Sequence, residues 1–244
     1  MSWLREIEHL YLYLNIFTIS LPFLLSFDKK VAFYKEWRFL FPAILITGAF
    51  FIIWDVLKTH FGVWSFNENY LVGIDIINLP LEEWLFFITV PYAIVFIYCC
   101  VKAYFSDFYS KYALSTSYFF IGLLFLGAIV FYDKAYTVIT FSLSGLFLLL
   151  HIRILGKKYL GYFWIAFFIH LIPFLLINGA LTSIPVVMYD DSFNMGIRYA
   201  HLTGIEYLYI PLEDTIYSML LFLMNVTIFE WLKIKYQSKV KTSA

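Results

Sequence analysis

The sequence predicts an all-α membrane protein: seven transmembrane helices, built as two parallel three-helix repeats joined by a linking helix. Three observations support this: scarce charge, long apolar runs at helical length, and an internal match at one fixed offset. Of 244 residues, 62% are hydrophobic and 14% charged, against about 25% charged in soluble domains. The excess excludes a soluble globular enzyme and a disordered chain. Lys+Arg and Asp+Glu both number 17, so there is no basic field to hold nucleic acid.

A spanning helix needs about 20 apolar residues. Seven runs approach that length, at residues 10–27, 39–57, 80–101, 112–132, 135–150, within 159–188, and 211–231. They are continuous and do not alternate, which indicates helices and not a barrel. The fifth run is short and the sixth is longer than a span requires. Arg5, Glu6 and Glu8 precede the first run and no small-residue cleavage pattern follows it, so no cleavable signal peptide is expected. Across the loops, Arg5, Lys58, Lys134 and Arg198 fall on one side and the other 13 basic residues on the opposite side. The positive-inside rule then makes the second side cytoplasmic, in a multi-pass protein of the cell membrane with its N-terminus outside. The Lys-rich tail from Lys233 to Lys241 fits that side as an anionic-lipid contact.

The chain matches itself at an offset of 131. Gly73-Ile74-Asp75 falls on Gly204-Ile205-Glu206, and Pro80-Leu81-Glu82-Glu83 falls on Pro211-Leu212-Glu213-Asp214. Pro42 likewise meets Pro173, and Gly48 meets Gly179. The expected units are a first repeat at 1–111, a linking helix at 112–134 and a second repeat at 135–244. An odd linking helix restores the orientation of the second unit, so the repeats run parallel about an axis along the membrane normal. Both acidic motifs then lie at one depth, facing each other.

Proline and acidic residues both suit a helix start, the acids gaining roughly 0.3–1 kcal/mol from the helix dipole. Duplication beside apolar sequence points further, because carboxylates at membrane depth are costly and mark sites facing a bundle interior. Glu82, Glu83, Glu213 and Asp214 are therefore the catalytic candidates. Protonated members would act as general acids, ionised ones as bases or cation stabilisers. Adjacent helix positions stand about 100° apart, so the acids of one motif cannot face one spot, and which faces inward stays open. Around them Trp54, Trp64, Trp84, Phe86, Phe87 and Tyr217 are candidate walls, able to stabilise a carbocation by cation–π attraction. Asp55 and Asn67 complete the substrate-binding candidates. Acid within aromatic walls suits protonation of an isoprenoid double bond.

The stretch Gly62-Val63-Trp64-Ser65-Phe66-Asn67, followed by Pro80-Leu81-Glu82-Glu83-Trp84-Leu85-Phe86-Phe87, resembles the integral-membrane lycopene cyclase domain family. The resemblance is to its tandem-fused form, related to the heterodimeric bacterial, archaeal and fungal type. Members carry Pro-x-Glu-Glu/Asp in each repeat, matched by Pro80-x-Glu82-Glu83 and Pro211-x-Glu213-Asp214. The second half departs from the first: Thr215 stands for Trp84, Tyr217 for Phe86, and the Trp64–Asn67 segment finds no counterpart. The resemblance implies cofactor-independent, acid-catalysed cyclisation of the ends of lycopene to β-ionone rings, giving β-carotene via γ-carotene. The substrate would be lycopene or a related carotenoid from the membrane lipid. The 11 glycines contain no Gly-x-Gly-x-x-Gly, so no dinucleotide fingerprint is present.

Other features rank lower. Asp75 and Glu206 are duplicated but read as loop acids; Arg198 and His201 lie in outer loops. Asp190-Asp191 with Asn194 is a single acidic copy, His151 and His170 have no metal-ligand spacing, and Cys99 and Cys100 offer no spaced metal site. No metal is expected. The alternatives are a small proton-coupled transporter with parallel three-helix repeats, or a cyclase acting on a longer carotenoid. A retinal protein is excluded, since the seventh run has no mid-membrane lysine.

Reporter fusions test the orientation: an N-terminal reporter should read outside and a C-terminal one cytoplasmic. An N-terminal tag found in the cytoplasm would reverse it.

Overall fold

In the computed structural model, residues 6–107 and 109–242 are described. Arg5 and the side chain of Lys241 lie outside that set. The apolar runs become helices α1 (Leu10–Leu25), α2 (Trp37–His60), α3 (Leu81–Tyr104), α4 (Ser110–Val130), α5 (Ala135–Leu155), α6 (Leu160–Ser183) and α8 (Leu212–Thr242), with a short α7 (Tyr199–Thr203). Six of them are long and apolar enough to cross a membrane, as expected of a multi-pass membrane protein. The seventh expected span, α1, has 16 residues, about 24 Å of helix against a hydrocarbon core of roughly 30 Å. It ends where the Ser26 hydroxyl folds back onto the Pro22 carbonyl at 2.7 Å. The short fifth run extends to Leu155, and the long sixth run stops at Ser183.

The rest of that sixth run forms strand β4 (Val187–Tyr189), which pairs antiparallel with β1 (Trp64–Phe66). A second ribbon, β2 (Asp75–Ile76) with β3 (Leu79–Pro80), leads into α3. The packing is reciprocal. Each unit's last helix lies against its own first helix and the other unit's second: α3 on α1 and α6, α8 on α5 and α2. At the end remote from the acidic motifs, Tyr98 donates to Glu230 at 2.9 Å, Lys102 pairs with the same carboxylate, and Lys233 pairs with Glu36 at 2.7 Å.

The structure refines the repeat. The 131 offset holds where the acids are, but not through the second helices. There the starts (37 and 160), ends (60 and 183) and the strands (64–66 and 187–189) all stand 123 apart. Pairing of Ser65 with Met188, flanked by Trp64–Tyr189 and Phe66–Val187, is what a two-fold axis through the ribbon produces. The Trp64–Phe66 segment therefore has a counterpart in β4, and Asp55 has one in Asn178. The register changes because 14 residues separate β1 from α3 and 22 separate β4 from α8. Pro42/Pro173 and Gly48/Gly179 match in sequence but not in helix position.

Gly73 (φ 82°) and Gly204 (φ 72°) both adopt the left-handed conformation, which explains their duplication: a side chain there is strained. A Cβ on either would meet nothing within 4 Å, so the cost is purely conformational. Gly73→Ala and Gly204→Ala should each cost about 1–2 kcal/mol and lower the unfolding midpoint in detergent by about 2–8 °C.

Candidate active site

The four motif carboxylates divide into two kinds according to the helix face each occupies. Pro80 (φ −63°, ψ 150°) is extended, so α3 starts at Leu81 and both acids fall in its first turn. All four acids are buried. Glu82 and Glu213 turn toward the incoming loops. Val72 N–H donates to Glu82 Oε1 at 2.6 Å, and Met195 N–H donates to Glu213 Oε1 at 2.7 Å. The Thr137 hydroxyl adds a second donor to Glu213 Oε1 at 2.6 Å. In both residues Oε2 is buried without a hydrogen-bond partner. Neither residue lines the cavity described next.

Glu83 and Asp214, one position further on, do line it. Each takes a tyrosine hydroxyl from the first helix of its own unit: Tyr11 to Glu83 at 2.5 Å, Tyr136 to Asp214 at 2.9 Å. Beyond this the halves diverge. Asp214 receives two more donors, Asn178 at 2.9 Å and Tyr189 at 2.8 Å. Burial beside Asp214 pushes the Tyr189 phenol well above its ordinary value, so it remains a donor. Glu83 instead interacts with the carboxyl of Asp55, which accepts from Tyr217 at 2.9 and 3.1 Å. Asp55 occupies the place that Asn178 holds in the second unit.

Lys58 pairs with Asp55 at 2.9 Å. Its ammonium lies 4.0 Å from the ring centre of Trp54, 3.8 Å from Trp64, 4.1 Å from Tyr217 and 5.1 Å from Tyr136. The sequence reading put Lys58 among the loop cations. It is buried in the last turn of α2, and its counterpart in the second unit is Leu181, which lines the cavity.

The cavity encloses about 630 Å³ between α1, α3, α6 and α8, within the range of small-molecule sites. Its acid end holds Glu83 and Asp214 with Tyr11, Tyr136, Tyr189 and Tyr217; Trp64, Phe66 and Phe86 form aromatic wall, and aliphatic residues continue inward. Along α1 it runs from Tyr11 to Pro22, roughly 16 Å of helix. Between α1 and α6 the lining is open to the surroundings: Phe17 is 69% exposed, Leu21 63% and Leu176 56%.

Of the residues singled out from sequence, Trp64, Glu83, Phe86, Asp214 and Tyr217 converge on this cavity. Trp54 and Asp55 lie behind its wall with Lys58. Phe87 is packed in the core, and Trp84 is half-buried off the cavity. Asn67 caps a turn by accepting from Asn69 N–H at 3.1 Å. Asp75, His201 and Glu206 are exposed. Arg198 pairs with Asp191. Asp190 accepts from Ser192 N–H, which holds its carboxyl below the ordinary value. His151 is bonded to Thr227 at 2.7 Å, and Cys99 and Cys100 are half-buried. Among the described residues no cluster of three metal-ligating side chains occurs. Sequence reasoning missed Tyr11, Tyr136, Asn178 and Tyr189. The only signal for them was Tyr11/Tyr136 and Asp55/Asn178 recurring at offsets other than 131.

Residues 8–101 and 133–232 match the sequence model of a family described as lycopene cyclase. The unmatched stretch, 102–132, takes in the end of α3, the loop after it and all of α4. No curated protein and no solved structure matches the chain.

If Glu82 and Glu213 clip loops to helix starts, the acceptor matters more than the charge. Glu82→Leu and Glu213→Leu, which strand a buried N–H, should destabilise by about 1–3 kcal/mol. Glu82→Gln and Glu213→Gln keep the carbonyl acceptor and should melt closer to the parent in a thermal scan.

Proposed function

Because the chain belongs to the lycopene cyclase family, we propose that it closes the acyclic ends of lycopene into β-ionone rings, giving β-carotene through γ-carotene. The coarser statement, that it is a carotenoid cyclase of the membrane, follows from family membership. One observation carries the finer reading: carboxyls from both repeats, Glu83 and Asp214, meet in a single aromatic-walled apolar cavity.

The partners of each carboxyl suggest its role. Glu83 interacts with the Asp55 carboxyl, and two interacting carboxyls can hold one proton between them. Glu83 is the general acid, delivering that proton to the terminal double bond. The tertiary cation closes the ring while the faces of Trp64, Tyr136 and Tyr217 stabilise positive charge. Asp214 carries three neutral donors, the arrangement that suits an anion. It is the base that removes the ring proton. One proton enters and one leaves, so the reaction is an isomerisation needing no electron acceptor. Glu82 and Glu213 support the site by fixing the loops over it.

In this reading α1 completes seven spans, the acidic motifs lie on the outer side, and the C-terminus is cytoplasmic. Residues 1–111 and 135–244 are the two repeats, and 112–134 the linking helix. The exposed seam between α1 and α6 is the lateral opening by which a membrane-dissolved carotenoid reaches the acids.

Expression in a lycopene-accumulating host, with chromatography of the pigments, tests the proposal. The parent chain should yield γ- and β-carotene. Glu83→Gln and Asp214→Asn should each cut ring formation by about 10²–10⁴-fold while the protein still inserts. Parent-level rings from both variants would refute the assignment, and no cyclic product from the parent would refute the activity.

A further inference from the structure

The cavity has a polar contact that cyclisation of a hydrocarbon does not use. His170, on α6, is its deepest lining residue on that helix and is 4% exposed. The other polar side chains in the lining are already committed. Thr18, Ser20 and Ser218 bond to carbonyls of their own helices at 2.8, 2.5 and 3.0 Å. Trp64 donates to Thr59 at 2.9 Å. Asn178 and the four tyrosines bond to Asp55, Glu83 or Asp214. His170 makes no hydrogen bond of sound geometry with any described residue, and its Nδ1 is buried unpartnered. The ring nitrogen merely approaches the Phe167 carbonyl one turn back. Around it stand the rings of Phe167, Phe174 and Phe222 at 5.5–5.7 Å.

A buried polar group without a partner costs free energy that a hydrocarbon cannot recover. A neutral imidazole offers one N–H donor and one acceptor nitrogen. Asn178, which bonds to Asp214, lies eight residues along α6, so His170 stands roughly 12 Å down the helix from the acid end. We propose that His170 binds an oxygen on the substrate chain, so that the site also takes acyclic isoprenoid polyenes bearing a carbonyl or hydroxyl about 12 Å from the cyclising end. A chain-shortened polyene ending in an aldehyde fits that description. The inference rests on the cyclase reading for the orientation of the chain, reacting end at the acids.

The test reads binding without turnover. The full chain in lipid nanodiscs is titrated with an acyclic polyene aldehyde and with the hydrocarbon of equal length, each followed by quenching of tryptophan fluorescence. The parent should favour the aldehyde by about fivefold, the scale of one hydrogen bond in a dry site. His170→Phe should abolish that preference and His170→Asn should retain part of it; equal preference in the parent and His170→Phe would overturn the proposal. Pigment analysis of the same proteins separates the two readings. A His170-dependent preference without cyclisation would uphold the binding site and sink the cyclase, and cyclisation without the preference would do the reverse.

Discussion

A carboxylate inside an apolar bundle must find its hydrogen-bond donors within the protein, and the motif end of this chain is organised around that demand. Loop N–H groups of Val72 and Met195 meet Glu82 and Glu213. Tyr11 and Tyr136, each in the first turn of its helix, meet Glu83 and Asp214. The loops are held because they carry donors, and the first helices dock on the last ones through the same acids. The bundle and its reactive groups are thus consequences of a single requirement. The cavity-lining carboxyls Glu83 and Asp214 are held back against its wall by the tyrosine hydroxyls that donate to them.

The two-fold relation supplies the scaffold, and its departures set what each carboxyl meets. Where the second unit has Asn178, the first has Asp55; where the first has Phe66 and Phe86, the second has Tyr189 and Tyr217. Phe and Tyr, or Asp and Asn, occupy nearly equal volumes, so these exchanges leave packing intact while changing what a carboxyl faces. Asp214 ends up ringed by donors, Glu83 opposed by another acid. Lys58, at the position of the cavity-lining Leu181, places an ammonium against Trp54 and Trp64. One side of the axis is therefore occupied by the protein's own cation, and the open space lies on the other.

The membrane class, the helices and the acidic motifs were legible because each rests on local sequence: apolar length, a proline start, paired acids. The partners of the acids were not. Tyr11 is 72 residues from Glu83, and the Asp55/Asn178 relation is hidden by the eight extra residues between β4 and α8. The 131 register, strong at the motifs, pulls the second helices out of alignment, so Asp55 and Asn178 do not meet in it. Inward-facing choice within each motif also required the structure, since a 100° step decides it and both residues are acidic.

The opening between α1 and α6 bears on how a long symmetric molecule is handled. Roughly 16 Å of cavity is about half the thickness of the hydrocarbon core, so under the proposed activity a bilayer-spanning polyene would enter by one end, with its remainder left among the acyl chains. In the proposed reaction the second end would reach the acids only after the first had withdrawn and the molecule had turned round or changed protein. Under the proposed activity, half-finished product would return to the lipid between events, and its share of the pool would depend on protein density in the membrane as much as on the acids themselves.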